Sequence, residues 1–199
     1  MPDAPVAPPA PPAQQPQMID PMISVSLIPQ TTPDYTFHKL LMFETVLVTQ
    51  AKRVLETGTD VGDSARIFST ALRRTGGMLI TVDKKTDLNY GWLQEYPNVV
   101  AIKGDSLAMQ WKDVLDVLFL DSDHNKDHLA AELRKFGPWV RQGGVILIHD
   151  TCHSEFGNGI TQAIRGWTQE VGLRWSEDPN PYGMAIIEVI RDLTPLRQP

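Results

Sequence analysis

The chain of 199 residues contains a single cysteine, Cys152. One cysteine cannot form an intramolecular disulfide, so the fold has to be held by its core. Because His149, Asp150 and His153 lie close to Cys152 in sequence, a cysteine nucleophile is one hypothesis. We reject it, because a cysteine near a strand end is often only a small packing residue.

Basic clusters and long apolar runs are also missing from the sequence. The net charge is −6 and no lysine-arginine cluster occurs, which favours a small-molecule partner over a nucleic acid. No run reaches the roughly 18 apolar residues of a membrane span, and no apolar signal core precedes the domain. We therefore expect no membrane association and a cytoplasmic location.

Proline is unevenly distributed along the chain. Residues 1–33 hold ten of the 16 prolines, separated mainly by alanine and glutamine. Such a segment cannot build a core, so we predict that residues 1–33 are disordered or polyproline-like and that residues 34–199 form one folded domain. We interpret the segment as a linker rather than a binding site for a partner.

Five short apolar runs each end close to an acidic residue. The runs cover residues 54–55, 78–82, 99–102, 117–120 and 145–148. The acids that follow them are Glu56, Asp83, Asp105, Asp121 and Asp150. Ligands of open α/β sheets bind beyond the carboxyl ends of the strands, so this collection of acids predicts a binding site there.

Helical patterns alternate with these runs, which predicts an α/β fold with a mostly parallel, doubly wound sheet and helices on both faces. The predicted helices cover residues 37–50, 63–74, 87–96, 107–112, 125–140 and 159–171. Two more strands are predicted at 173–176 and 184–190, too close together for a helical crossover. They should form an antiparallel hairpin at the end of the chain.

The turn after the first strand contains Gly58 and Gly62, and a helix begins near Asp63 or Ser64. Missing side chains at the glycines would let a ligand lie against the backbone. The turn lacks a Gly-x-Gly pair, which argues against a nicotinamide-dependent oxidoreductase.

Ordered motifs connect these features to a known group. Leu-Glu-Thr-Gly-Thr-Asp-Val-Gly-Asp-Ser, then Val-Asp, then Gly-Asp-Ser follow one another along the chain. In this the chain resembles the class I S-adenosylmethionine-dependent methyltransferases from about Leu40 to about Ile190. Leu-Asp-Ser-Asp-His and the later His-Asp-Thr resemble motifs of a small-molecule O-methyltransferase group within that class. The resemblance implies a Rossmann-like sheet of seven strands whose last strand is antiparallel.

The resemblance also implies roles for individual residues. Asp83 would hold the ribose hydroxyls of S-adenosylmethionine, and Asp105 and Ser106 would lie at the edge of the adenine. The remaining cofactor-binding residues are Glu56, Gly58 and Gly62 at the methionine end, Thr59 and Ser64 in the same turn, and Asp121.

A divalent metal such as magnesium or manganese is used by some relatives, which here implies Asp121, His149 and Asp150 as ligands. Metal-dependent relatives often carry an acidic or amide residue where this chain has His149. Without a metal, His124 or His149 is the candidate general base beside Asp121. We interpret His128 as a solvated helix residue, and the role of His153 stays open.

The sequence therefore predicts a methyltransferase that methylates a hydroxyl of a small metabolite. The alternative is a cofactor-binding or regulatory subunit of the same fold without catalysis, because the chain offers little material for an acceptor lid beyond residues 152–160 and 176–183. A homo-oligomer is compatible with either reading.

Overall fold

A computed structural model describes residues 26, 28–30, 35–85 and 90–197, and they form one α/β domain. The strands are β1 (Arg53–Thr57), β2 (Met78–Asp83), β3 (Val99–Lys103), β4 (Leu115–Leu120), β5 (Val140–His149), β6 (Ser176–Asp178) and β7 (Met184–Glu188). The α-helices are α1 (Lys39–Val48), α2 (Asp63–Thr75), α3 (Lys126–Phe136) and α4 (Gly157–Val171). Short 3-10 turns cover Gly91–Glu95, Gly137–Trp139 and Thr194–Leu196.

The sheet has seven strands in the order β3-β2-β1-β4-β5-β7-β6. Strands β1 to β5 are parallel, whereas β7 runs antiparallel to both β5 and β6. This arrangement confirms the predicted Rossmann-like sheet and the antiparallel ending. The strand order reverses between β1 and β4, so the crevice for a ligand lies beyond the carboxyl ends of these two strands.

The core has two layers, one on each face of the sheet. Alternate residues of β4 serve opposite layers: Leu118 packs in the layer with α3 and α4, and Phe119 packs in the layer with α1 and α2. Both side chains are fully buried, as expected when a parallel strand is covered on both faces. The continuous apolar runs of the sequence are therefore explained by two-sided burial.

Several predicted boundaries are corrected by the structure. No helix forms over residues 107–112, where the side chain of Asp105 instead accepts a hydrogen bond from the Leu107 amide and stabilises a turn. The predicted helix at 87–96 is reduced to the 3-10 turn Gly91–Glu95, and residues 86–89 lie outside the described part of the chain.

The sheet's later strands also differ from the prediction. Strand β6 begins at Ser176 rather than at Leu173. Leu173 directly follows Gly172, the glycine that ends α4, and its side chain is buried in the core. Strand β5 starts at Val140 rather than at the predicted residue 145, and it includes Gly143 and Gly144. Its pairing with β4 shifts register between Leu115 and Val117, as in a β-bulge.

Part of the proline-rich segment lies against the domain. The Ile28 side chain is buried in the layer with α1 and α2, and its carbonyl accepts a hydrogen bond from Lys39 Nζ at 3.3 Å. Gln30 Nε2 donates to the carbonyl of Asp63 at the start of α2. Most of residues 1–33 lie outside the described chain, so their predicted disorder remains a prediction.

No helix in the described part of the chain combines the length and the apolar character needed to cross a lipid bilayer.

Candidate functional site

A cavity of about 390 Å³ lies at the carboxyl edge of the sheet, where the strand order reverses. Eight of the predicted site residues line it: Gly58, Asp83, Asp105, Ser106, Asp121, His124, His149 and Asp150. The other four are buried beside the cavity, at the end of β1, in the turn after it and in the first turn of α2: Glu56, Thr59, Gly62 and Ser64. The structure thus brings the predicted set to one end of the sheet.

Gly58 allows the turn after β1 to approach the end of β4 closely. Its φ is +91°, and a Cβ placed there would overlap the carbonyl of Asp121. The Gly58 amide donates to the Val82 carbonyl at 2.8 Å, and the Asp121 amide donates to the Thr57 carbonyl at 2.9 Å. A side chain at this position would therefore push apart the two strand ends that form the cavity.

Glu56 is the last charged group of β1 and is fully buried. Burial raises the pKa of its carboxyl to about 8, although the hydroxyls of Ser64 and Thr81 oppose the rise. Neither carboxyl oxygen has a well-aligned hydrogen bond within the described residues. A buried carboxyl of this kind suits a ligand that brings a positive charge, such as an amino group.

Asp83 ends β2 and is nearly buried at the cavity wall. Its oxygens accept hydrogen bonds from the amides of Asp60 at 2.9 Å and Lys85 at 2.8 Å. An ionised carboxylate has about four lone-pair directions, so two acceptor positions stay available for a vicinal diol. Thr59 is held in the same turn by a contact of 2.6 Å between its hydroxyl and that of Thr81.

Ser106 and Ser122 line the cavity beyond β3 and β4, and both bind a residue that the sequence analysis missed. Their hydroxyls donate to the carboxylate of Glu132 on α3, which is 1% exposed. His128 also lies against this carboxylate, with Nε2 3.4 Å from Oε1, so our interpretation of His128 as solvated is wrong. The available signal was a glutamate on the apolar face of a helix.

Two carboxylates and two imidazoles meet between the ends of β4 and β5. His124 Nε2 lies 2.8 Å from Asp150 Oδ2 and 3.5 Å from Asp121 Oδ1. On the other side, His149 Nδ1 lies 3.4 Å from Asp150 Oδ1 and 3.6 Å from Asp121 Oδ2. Asp150 adopts φ +62°, a left-handed conformation that turns the chain sharply at the end of β5.

This cluster stabilises charge on all four groups. Contact with Asp121 and Asp150 raises the pKa of His124 to about 9 against the opposing effect of burial. For His149, burial lowers the pKa, but the two carboxylates outweigh it and raise the pKa to about 10. Burial alone would raise the pKa values of Asp121 and Asp150, yet the imidazoles bring both below their usual range. At neutral pH the cluster therefore holds two imidazolium ions between two carboxylates.

Tyr35 reaches the same cluster from the chain before α1 and was also missed from sequence. Its hydroxyl donates to Asp121 Oδ2, and its ring packs at 4.9 Å from the His149 ring. Burial and the neighbouring Asp121 raise the pKa of this phenol well above its ordinary value, so it stays a donor. No local pattern signals this role, because the two residues are 86 positions apart.

A stack of aromatic rings packs against the imidazole of His124. The Phe156 ring stacks between the rings of His124 at 4.1 Å and His153 at 3.8 Å. Tyr182 continues the stack at 5.8 Å from His153 and is 39% exposed at the cavity wall. His153, left open by the sequence, therefore belongs to an aromatic wall of the cavity.

A divalent cation fits the cluster with one change to the predicted ligands. Donor atoms of Asp121, His124 and Asp150 all lie within 4.8 Å of one another. His124 thus takes the place we had assigned to His149 in that set. Two carboxylate oxygens and one imidazole nitrogen form a donor set that suits manganese, iron, cobalt or zinc better than magnesium.

Known proteins share both sequence and fold with this chain. A family model described as a methyltransferase domain matches residues 55–151. Rhamnosyl O-methyltransferases of Mycobacterium bovis and Mycobacterium tuberculosis are 24% identical over 147 residues, which covers 65% of this chain. The chain spans 60% of the length of these curated relatives.

Solved structures share the fold at low sequence identity. A Podospora anserina methyltransferase bound to S-adenosylhomocysteine has a TM-score of 0.64 and 18% identity, over 85% of this chain and 87% of that one. A TDP-rhamnose 3'-O-methyltransferase of calicheamicin biosynthesis has a TM-score of 0.65 and 14% identity, over 77% of this chain and 79% of that one.

Proposed function

We propose that this chain transfers a methyl group to a hydroxyl of a small molecule. The premise is that the chain belongs to the class I S-adenosylmethionine-dependent methyltransferases. The observation that carries the proposal is the convergence of Asp121, His124 and Asp150 in the same cavity as Gly58 and Asp83. The proposed cofactor-binding site therefore lies next to a group of side chains that can bind protons.

The cofactor would lie along the edge formed by β1, β2 and β3. The buried carboxyl of Glu56 suits the amino group of its methionine end, and Asp83 suits the two ribose hydroxyls. Because Gly58 packs closely against the end of β4, backbone atoms form the base of this cofactor-binding site. Asp105 and Ser106 then border the adenine.

Methyl transfer needs one proton to leave the acceptor. The carbon–sulfur bond of the sulfonium breaks as the acceptor oxygen forms its bond to the methyl carbon, and S-adenosylhomocysteine leaves with the electron pair on sulfur. The carboxylates of Asp121 and Asp150 hold His124 through its Nε2 atom, which leaves Nδ1 to accept the single proton of the acceptor hydroxyl. His124 takes the proton when it is neutral, which becomes common only as the pH approaches about 9.

A divalent cation at Asp121, His124 and Asp150 would replace the proton that His124 carries at neutral pH. When bound, such an ion lowers the pKa of a coordinated hydroxyl. The two carboxylates then neutralise the ion's charge, and Tyr35 and His149 hold the outer side of Asp121. We propose this metal-assisted form as the one that works at neutral pH.

A sugar is the acceptor class that we favour. The mycobacterial relatives are named for rhamnosyl groups, and one solved neighbour is named for TDP-rhamnose. The cavity combines carboxylates, which accept hydrogen bonds from hydroxyls, with the exposed ring of Tyr182, which can pack against the apolar face of a pyranose.

Transfer of a tritiated methyl group from S-adenosylmethionine tests this proposal. Methyl rhamnosides are the sugar probes and catechol is the planar diol, each assayed with manganese and with a chelator. We expect product from the rhamnosides with manganese, and in chelator a slower reaction whose rate rises with pH toward 9. Binding of S-adenosylhomocysteine without transfer to any probe would instead support the non-catalytic alternative.

A further inference from the structure

Glu132 is a buried carboxylate that joins two loops of the cavity to helix α3. Ser106 Oγ donates to its Oε1 at 2.6 Å, and Ser122 Oγ lies 2.9 Å from each of its two oxygens. The two serines lie in the loops that follow β3 and β4, and both line the cavity. Lys135 on the same helix adds hydrogen bonds to the carbonyls of Ser106 and Leu107.

Packing alone does not account for a glutamate at this position. Its neighbours on the same face of α3 are Leu129, Leu133 and Phe136, all buried in one core layer. A leucine would fill such a place without the cost of burying a carboxylate. The hydrogen bonds of Glu132 are therefore directed at the cavity loops rather than at the core.

The carboxylate determines which way the serine hydroxyls point. A hydroxyl has one proton and two lone pairs, and an ionised carboxylate can only accept. When Ser106 gives its proton to Glu132, its oxygen can offer only lone pairs to the cavity. Such an oxygen binds a donor on a ligand and repels an acceptor.

We infer that Glu132 is a positioning residue that makes the base subsite select adenine, because it leaves Ser106 as a hydrogen-bond acceptor for the exocyclic amino group. The inference rests on the proposed function for the placement of the adenine beside Ser106. Hypoxanthine carries a carbonyl oxygen in place of that amino group, so it would face the lone pairs of Ser106. The serine would then reject inosine derivatives.

Calorimetric titration with adenosine, inosine and S-adenosylhomocysteine tests the inference without an acceptor substrate. Wild type should bind adenosine at least about tenfold more tightly than inosine, the ratio that corresponds to one hydrogen bond and an avoided repulsion. In Glu132→Leu the Ser106 proton is free to turn toward the cavity. The ratio should then fall to about two, with weaker adenosine binding and unchanged or stronger inosine binding.

Two further variants separate positioning from general weakening. Glu132→Gln keeps an oxygen at the Oε1 position, which accepts both serine hydroxyls, so its adenosine-to-inosine ratio should stay close to that of wild type. Glu170→Leu removes the exposed pair between α4 and Arg134 of α3 and loosens the same helix away from the cavity. It should leave the ratio unchanged.

The outcomes distinguish the inference from the proposed function. If wild type does not bind S-adenosylhomocysteine, the proposed function is wrong. If wild type binds it but does not discriminate adenosine from inosine, or if Glu132→Leu weakens both nucleosides equally, Glu132 only stabilises the fold and the inference is overturned.

Discussion

Asp116 lies near the start of β4 and Asp121 directly follows its end, so the two are at opposite edges of the sheet, and their surroundings differ in kind. Asp116, at the amino edge, accepts from the amides of Lys52 and Arg53 and from Arg141 Nε at 2.6 Å. Its partners are backbone groups and an arginine that stays charged at all relevant pH values. Asp116 therefore stabilises the sheet.

Asp121, five residues later, is surrounded by groups that can exchange protons. Its neighbours are Tyr35, His124 and His149, and its side chain borders the cavity. The same residue type thus supplies stability at one edge and chemistry at the other. The difference lies in whether the partners are fixed donors or titratable side chains.

The largest effect on transfer is expected from Asp121→Asn. Loss of this carboxylate should slow methyl transfer by at least about 100-fold, because it removes a preorganised charge at the reacting oxygen. Most stability should remain, since His124 and His149 can lose their protons when their counter-charge is gone. The tritium assay with a methyl rhamnoside and a thermal melt measure both quantities. A variant that keeps more than a tenth of the wild-type rate would contradict the role.

Asp116→Asn should show the opposite pattern. Replacing a charged acceptor of three hydrogen bonds should lower the free energy of unfolding by about 2 kcal/mol. The affinity for S-adenosylhomocysteine should not change in the folded protein. Urea unfolding and calorimetric titration check the two statements, and a large loss of affinity without destabilisation would show that the edges are not separate.

Asp83→Ala should weaken S-adenosylhomocysteine binding at least about tenfold, because two hydroxyl hydrogen bonds to a charged acceptor are lost. The matched control at the other edge is Asp113→Ala, which removes an exposed ion pair with Arg53. Titration of both variants should find an effect only for Asp83. An unchanged dissociation constant for Asp83→Ala would rule out the ribose assignment.

The smallest effect is a pH dependence that comes from Glu56. Its pKa is raised from 4.5 to about 8, so the ligand-free protein holds a proton there at neutral pH. A cofactor amino group favours the ionised form, so affinity for S-adenosylhomocysteine should rise by up to about tenfold between pH 7 and about pH 8 and then level off. Titrations in the Glu56→Gln variant should lack this component and show only the cofactor's own titration.

The same raised pKa affects stability with the opposite sign. Because the folded state holds the proton more tightly than the unfolded chain, Glu56 stabilises the ligand-free protein at low pH. That contribution decreases as the pH rises from 4.5 through about 8. Thermal melts of wild type and Glu56→Gln should therefore converge at low pH and differ in slope above it. Parallel curves would contradict the raised pKa.

The two edges also differ in how far the sequence reveals them. The sheet was predictable because its strands are apolar runs, and the carboxyl edge because acids such as Glu56 and Asp121 follow those runs directly. Local spacing can place a residue at a strand end, but it cannot say which imidazole nitrogen faces which carboxylate. The resemblance implied His149 as the histidine ligand of a metal, whereas the histidine whose donor atom converges with those of Asp121 and Asp150 is His124.

Residues that reach the site from other elements were not predictable in this way. Glu132 left a detectable signal, a charge among the apolar positions of α3, but its partners could not be named without the loops. Tyr35 left none, because its contact depends on how α1 packs against the sheet. The helix predicted at 107–112 does not form for a local reason, because an Asx turn at Asp105 takes the place of the helical turn.

The contact between Tyr35 and Asp121 also has a consequence for the order in which the protein acquires its structure. It closes a loop of 86 residues that contains strands β1 to β4. Contacts of such separation form late, because the entropy of closing the loop has to be met before the contact stabilises anything. The pairing of β1 with β4 is itself long-range, since Val54 aligns with Val117, and once it has formed only the segment before β1 has to close. The Tyr35 contact is therefore expected to follow the pairing of these strands. A refolding experiment should detect the burial of core tryptophans in an earlier phase than the recovery of cofactor binding.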